Sequence, residues 1–196
     1  MINSVNCALD ASSSRISFRV KHLLVATVEG RFSRASGCAT FDVDDLARST
    51  FEGRVEAESV HTEEATRDEY LRTNALLDPV RYPEIVASNG RVLRMRGERA
   101  QIGVDLTVRG TTRQLLLDAE PPFLGVGSER KRRARVMASG ELSRKDFGRE
   151  FDAAWGAGDA SIGDRVNVDI DAHINPEASV VTSLGEASNT TLPLWM

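Results

Sequence analysis

The chain has few of the residues that carry chemistry by themselves. Its two cysteines in 196 residues, Cys7 and Cys38, are too few and too widely spaced for a disulfide framework or a zinc site, and read as small buried or surface thiols. Its three histidines, His22, His61 and His173, show no metal-ligand spacing, and strand parity turns His173 away from the face of Ile174. A nucleophile elbow, a phosphate-cradling glycine loop and a Cys–His arrangement are all missing. Asp105, Asp118, Asp169 and Asp171 fall on outer faces or turns, which leaves paired-carboxylate catalysis without support. No apolar run is long enough for a membrane-spanning helix. A formal charge of only -4 excludes a globally basic nucleic-acid binder while allowing a local patch. Met1 to Cys7 offers neither a basic nor an apolar leader region, so the chain as given is expected to be cytoplasmic.

What the chain does have is alternation. Its 41% hydrophobic and 28% charged residues describe a globular protein, and this length suits one core that buries about 70% of the unfolded surface. Ile16, Phe18 and Val20 alternate with Ser17, Arg19 and Lys21. Phe51, Gly53, Val55 and Ala57 alternate with four charged residues, and Val166 to Ile174 alternates in the same way, so each segment reads as a strand wet on one side. Further strands are expected at about Ile85–Leu93, Ala100–Arg109, Arg113–Ala119 and Arg135–Ser143. Between Phe32 and Phe41 the apolar parity changes, which predicts a turn or bulge near Gly37. Counting that split strand, about eight strands result.

One helix is expected from about Glu63 to Thr73. Thr62 would cap it, Glu63 and Glu64 would complement its positive end, and an Asp68–Arg72 pair at i, i+4 would support it. Asp44 to Ser49 reads as a turn or one helical loop. After Ile174, Asn175-Pro176 breaks the last strand. Residues 177–196 form a polar tail expected to be mobile, ending in Leu192-Pro193-Leu194-Trp195-Met196, either a frayed terminus or a lid docked on the barrel mouth or on a second subunit.

A family resemblance rests on pieces that occur in order. Ser14 to Leu23 is followed by Val28-Glu29-Gly30-Arg31-Phe32. Ser59-Val60-His61-Thr62 precedes Arg67-Asp68-Glu69-Tyr70-Leu71-Arg72 and a Tyr82-Pro83 step into the next strand. Asp105 to Arg113, Leu142 to Gly148 and Ile162 to Val166 complete the set. The chain from roughly Ala8 to Ile174 thereby resembles the YceI-like family of bacterial polyisoprenoid-binding proteins, which are lipocalin-like. The resemblance implies an all-β fold: a single antiparallel β-barrel of about eight strands, spanning residues 1–176, with one short helix at the barrel opening. The chain departs from the family at Leu76-Leu77, Ala87 and Val136, where aromatic residues are usual, and at Tyr70, where histidine is common. With 6% aromatic residues, rings cannot easily fill the barrel, so the interior is either an enlarged cavity or a barrel contracted around small residues.

The candidate cavity residues are Ile16, Phe18 and Val20 in one strand, Phe51 and Val55 in another, Ile85 and Ala87 after the Tyr-Pro step, Leu106 and Val108, Val136 and Leu142, and Val168 and Ile170. Such a set reads as a packed core or as a pocket. Head-group candidates are Arg67, Asp68, Tyr70 and Arg144. Arg67 is either an anchor for the helix or a bidentate phosphate ligand. The run Arg130-Lys131-Arg132-Arg133 is either a solvated loop or a transient contact for an anionic membrane, worth about 1 kcal/mol per residue near the surface. It has no interleaved aromatic residues for nucleic acid. The expected activity is sequestration or transport of an amphipathic lipid, a polyisoprenoid or its phosphate, without catalysis, cofactor, metal or nucleic acid, and with a homodimer left open. The alternatives are a stress-related interaction protein with a filled barrel and a small hydrolase or isomerase acting in the cavity.

Overall fold

A computed structural model describes residues 4–22, 26–42, 44–97, 99–120, 123–124, 134–148 and 162–176. Twelve strands join into one sheet that closes on itself. The chain begins with β1 (Ser4–Leu9) and β2 (Arg15–His22), then β3 (Ala26–Phe32) and β4 (Ala35–Asp42), and a 3-10 turn at Leu46–Arg48. Next come β5 (Thr50–Glu56), β6 (Val60–His61), the helix α1 (Ala65–Leu71), β7 (Glu84–Arg96), β8 (Arg99–Val108) and β9 (Thr111–Ala119). The short β10 (Phe123–Leu124), β11 (Ala134–Ser143), a 3-10 turn at Arg144–Phe147 and the long β12 (Ile162–Pro176) complete the wall.

Six of these strands are three longer ones, each broken once. β1 and β2 lie end to end along the same side of β12, with Leu9 opposite Ile174 and Ile16 opposite Ile170. β3 and β4 run on in the same manner, and so do β5 and β6. Counted so, and leaving aside the two-residue β10, eight antiparallel strands form the barrel, sealed by the β11–β12 ladder from Ala134↔Ile174 to Ser143↔Arg165. Closure leaves no long exposed edge.

The break between β3 and β4 falls at Ser33 and Arg34, four residues before the predicted position at Gly37. Across these two residues the inward parity switches from Phe32 to Gly37, Ala39 and Phe41. Three backbone groups freed by the break find partners in the next strand and turn. Ser33 N–H donates to the Ser59 carbonyl at 3.1 Å, Arg34 N–H to Ser59 Oγ at 3.1 Å, and Glu56 N–H to the Arg34 carbonyl at 3.0 Å. Gly37 instead sits opposite Gly53 in the β4–β5 ladder. Sequence reading also missed β1, although Val5, Cys7 and Leu9 alternate there with polar and small residues.

α1 is shorter than expected and is capped differently. Glu64 rather than Thr62 is the N-cap, accepting from Thr66 N–H and Arg67 N–H. The expected Asp68–Arg72 pair does not form. Asp68 turns to β6, while Arg72 donates to the carbonyls of Glu58 and Val60 at 2.9 and 2.5 Å, tying the helix to the barrel from its other side.

The barrel has two unlike ends. At one lie α1, the tight β8–β9 turn through Arg109 and Gly110, both at positive φ, and the Arg144–Phe147 turn. At the other lie the β7–β8 turn at Gly97, the Leu46–Arg48 turn and the start of β11. Packing is concentrated on one wall, where Val92, Ile102, Val104, Leu115, Leu117 and Ala138 form the largest buried cluster. Cys7 is buried beside Ile174, whereas Cys38 is exposed. Among the described residues, no helix is long and apolar enough to cross a membrane.

Candidate functional site

The interior of the barrel is a cavity of about 550 Å³. Small residues keep it open, with Ala39, Ala87, Ala138 and Ala172 facing inward alongside the Gly37–Gly53 pair, where the wall is backbone alone. All thirteen positions expected to face the interior line it. β2 contributes Ile16, Phe18 and Val20, and β5 contributes Phe51 and Val55. β7 supplies Ile85 and Ala87, β8 supplies Leu106 and Val108, β11 supplies Val136 and Leu142, and β12 supplies Val168 and Ile170. Of the two readings left open for the interior, the structure has the open one. Contraction is prevented because the backbone spacing of a closed eight-strand barrel sets its girth, so small inward residues leave space rather than drawing the wall inward.

Other lining residues were not singled out from sequence. Ile102, Val104, Leu115 and Leu117 continue the inward parity of β8 and β9, a signal that was present in their alternation. Phe32 and Phe41 sit on either side of the strand break and lie inward for that reason. Val60, Leu71, Leu76 and Leu77 line the cavity where α1 and the segment after it cross the barrel end. No strand periodicity marks Leu71, Leu76 and Leu77, of which the last two stand out in the sequence only as departures from the family, and β6 is too short to show one at Val60.

Polar groups gather where that end stays open. Arg67 and Leu71 are one turn apart on the helix face toward the cavity, and Lys21 from the end of β2 and Arg144 from the turn after β11 line it as well. Glu64 is the acidic neighbour, its carboxylate 3.9 Å from Arg67. Arg67 is held in place, with Nε donating to Thr62 Oγ1 at 2.8 Å and an Nη donating to the Thr62 carbonyl at 2.7 Å. Arg144 Nε donates to the Gly163 carbonyl at 3.2 Å. Lys21, Arg67 and Arg144 thus bring three cationic residues from three separate elements to the α1 end of the lining, with Glu64 beside Arg67, while Glu52 and Arg54 flank Gly53 in the β5 wall. Lys21 was missed because it has outward parity in β2, and only the end of the strand brings it to the rim.

Asp68 and Tyr70, also expected at the head-group position, do not line the cavity. Asp68 is 4% exposed and is fully engaged. Thr62 donates to its Oδ1 from both N–H and hydroxyl, at 2.7 and 2.6 Å, and His61 Nδ1 lies 2.9 Å from its Oδ2. Burial alone would raise its pKa, but the Thr62 and His61 hydrogen bonds and the His61 charge outweigh it and hold the carboxyl below the ordinary carboxylate value. Its place in the helix decides this, since the residue after Arg67 is turned about 100° away from the cavity. Thr62 links the two halves of the arrangement, donating to Asp68 and accepting from Arg67.

The basic run Arg130 to Arg133 lies outside the described residues, as do Trp195 and the rest of the C-terminal tail. Its point of attachment is nevertheless clear. β11 starts at the end opposite α1, where Arg135 donates twice to Asp171, at 2.7 and 2.6 Å, and ten residues of strand separate that start from Arg144. At about 3.3 Å per residue the run joins the barrel roughly 30 Å along the strand from Arg144.

A family model for the YceI-like domain matches residues 8–174. The YceI protein of Escherichia coli is 31% identical over 134 residues, 67% of this chain and 69% of its own. A UPF0312 protein of Vibrio cholerae is 27% identical over 150 residues, 74% of this chain and 78% of its own. Among solved structures, BcnA of Burkholderia cenocepacia superposes with a TM-score of 0.68 at 16% identity, covering 84% of this chain and 98% of its own. A polyisoprenoid-binding domain from Saccharophagus degradans, implicated in plant cell wall breakdown, superposes with a TM-score of 0.58 at 14% identity, covering 88% and 99%. At these identities the superpositions speak for the fold.

Proposed function

The chain belongs to the YceI-like family, and from that membership and its open interior we propose that it binds an amphipathic lipid, a polyisoprenoid or polyisoprenoid phosphate, with the tail in the barrel and the head at the α1 end. The observation that carries this reading is the apolar cavity of about 550 Å³ with cationic residues at its α1 end. The apolar lining of such a space makes its packing contacts with whatever fills it. A lipid tail supplies those contacts and gains about 25 cal/mol per Å² of apolar area removed from water. The polyisoprenoid-binding name of the Saccharophagus degradans domain supports the same class of ligand.

The head group follows from the rim. Lys21, Arg67 and Arg144 favour an anion, and the planar guanidinium of Arg67 is already oriented by Thr62, so little side-chain freedom is lost when it receives a phosphate oxygen. No step of bond making is required, and the activity is sequestration or transfer. A membrane contact through Arg130, Lys131, Arg132 and Arg133 belongs to this reading as a separate element. The filled-barrel alternative loses its main support with the cavity open.

Mass spectrometry of an organic extract of the purified, denatured protein tests the proposal. A co-purifying prenyl lipid is the expected result. A small polar product would favour the cavity enzyme instead, and an extract free of lipid, together with no uptake of added farnesyl phosphate, would remove the carrier reading.

A further inference from the structure

We propose that Phe41 and Phe51 form a floor that limits the bound tail to roughly 20 carbons, about four isoprene units, measured from the cationic rim. This rests on the lipid-binding reading above and adds a length limit to it.

The cavity does not run the full length of the barrel. At the end away from α1 it stops against Phe41, Phe51, Ile102 and Val136, and these same four residues line a second, separate void of about 30 Å³ beyond them. They are thus a partition with space on both sides. The two rings carry most of it, edge to face with centroids 5.6 Å apart at 74°, the preferred contact of aromatic pairs. The backbone fixes both positions. Phe51 stands opposite Ala39 in β4 on one side and Gly90 in β7 on the other. A Cβ at Gly90 would come within 2.5 Å of the Phe51 carbonyl oxygen, so this close approach needs glycine. Phe41 is packed with Val5, Leu9 and Val136 around the buried Cys7 and Ile174.

Volume sets the length. At about 30 Å³ for a water-sized group, a cavity of about 550 Å³ corresponds to roughly 18 carbon-sized groups. A tail longer than this cannot reach the floor and keep its phosphate at Lys21, Arg67 and Arg144. Either the head leaves the cations or surplus apolar chain stays in water. The partition therefore makes head-group anchoring depend on chain length, a property that a barrel open at both ends would lack.

The test measures affinity for a series of prenyl phosphates with 10, 15, 20, 25 and 40 carbons, alongside saturated fatty acids with 12 to 22 carbons, by isothermal titration. With the wild-type chain, affinity is expected to rise more than ~10-fold per five-carbon unit up to 20 carbons, and then to stop rising or to fall. Phe51→Ala joins the two voids and should move the limit outward by roughly one five-carbon unit. Ala172→Phe, which places a ring opposite Val136 in the β11–β12 ladder, should move it inward, and this variant remains informative if Phe51→Ala does not fold. A wild-type affinity that keeps rising to 40 carbons overturns the floor, as does a limit that stays put in both folded variants. If the fatty acids show the limit and no prenyl phosphate binds, the floor stands and the isoprenoid reading fails. If neither series binds, both fail.

Discussion

Asp68 shows how little a residue's charge says about its task. It lies beside Arg67 in the sequence, yet it holds the helix while Arg67 faces the cavity. Asp68→Asn keeps the shape and removes the charge, so the hydrogen bonds from Thr62 and His61 weaken and stability at pH 7 should drop by about 2 kcal/mol in urea unfolding. The pH dependence has a definite sign. Because the folded carboxyl has a pKa below the unfolded value of about 3.9, the unfolded state takes up a proton first as pH falls. The stability contributed by Asp68 is therefore complete above the unfolded pKa and is lost as pH falls through the folded one. Thermal melts between pH 6 and 2 should show a shallower acid limb for the Asn variant. It should not become flat, since Asp10 and Asp171 are shifted in the same direction, the former chiefly by its Ser12 hydrogen bond and the latter chiefly by Arg135. Arg67→Met tests the neighbouring task. Affinity for farnesyl phosphate should fall about 10-fold, the loss of one charge-assisted contact, whereas affinity for farnesol should be unchanged in the same titration.

The strands and the helix make different kinds of contribution. β7 carries Ala87 into the cavity between Ile85 and the displaced Ser88 to Gly90 stretch, where its register with β5 and β8 shifts. Because Ala87 faces the cavity, Ala87→Trp should fit without the ~1–3 kcal/mol cost of overpacking a filled core. Its melting temperature should stay near the wild-type value while uptake of farnesyl phosphate is lost. A folded variant that binds normally would show that the tail does not pass this point. α1, by contrast, buries little of its own and is held by side chains reaching from it to β6 and to the Ala57–Ser59 turn. Its seven residues are fewer than an isolated helix needs, so it exists because Asp68, Arg72 and the Glu64 cap fasten it. The helix should be the first element to open in native-state hydrogen exchange, ahead of β8 and β9.

For the molecule as a whole, binding and stability are linked through the cavity. A ligand that enters only the folded barrel adds RT ln(1 + [L]/Kd), about 2.7 kcal/mol at one hundred times Kd, and at this chain length each kcal/mol is worth roughly 2–4 °C. Farnesyl phosphate at that ratio should therefore raise the melting temperature by about 5–10 °C. Replacing Arg130, Lys131, Arg132 and Arg133 by Ser should leave that increase intact if the run serves membrane contact alone. The same replacement should weaken sedimentation with anionic vesicles at low salt, and wild-type sedimentation should itself decline as salt screens charges beyond ~8 Å. If the replacement abolishes the thermal shift instead, the run contributes to the head-group site after all.

Alternation along each strand is a local property, and local properties are legible. The inward set from Ile16 to Ile170 could be read from the chain because side chains of a strand alternate faces whatever the strand pairs with. For the same reason the strands themselves, the break after Phe32 and the presence of a helix before Tyr82 were visible, though the break and the helix cap were each misplaced by two to four residues. Other features depend on which distant segments become neighbours. Lys21, Arg67 and Arg144 are brought together by β2, α1 and the turn after β11. Asp68 became structural because β6 delivers Thr62 and His61 to it, and Phe41 and Phe51 became a partition because β4 and β5 pair in one register rather than the next. Whether small inward residues leave a cavity or a tighter core was likewise undecided by composition. Closing eight strands fixes a girth that no single strand encodes, and the side chains available then fall short of filling it.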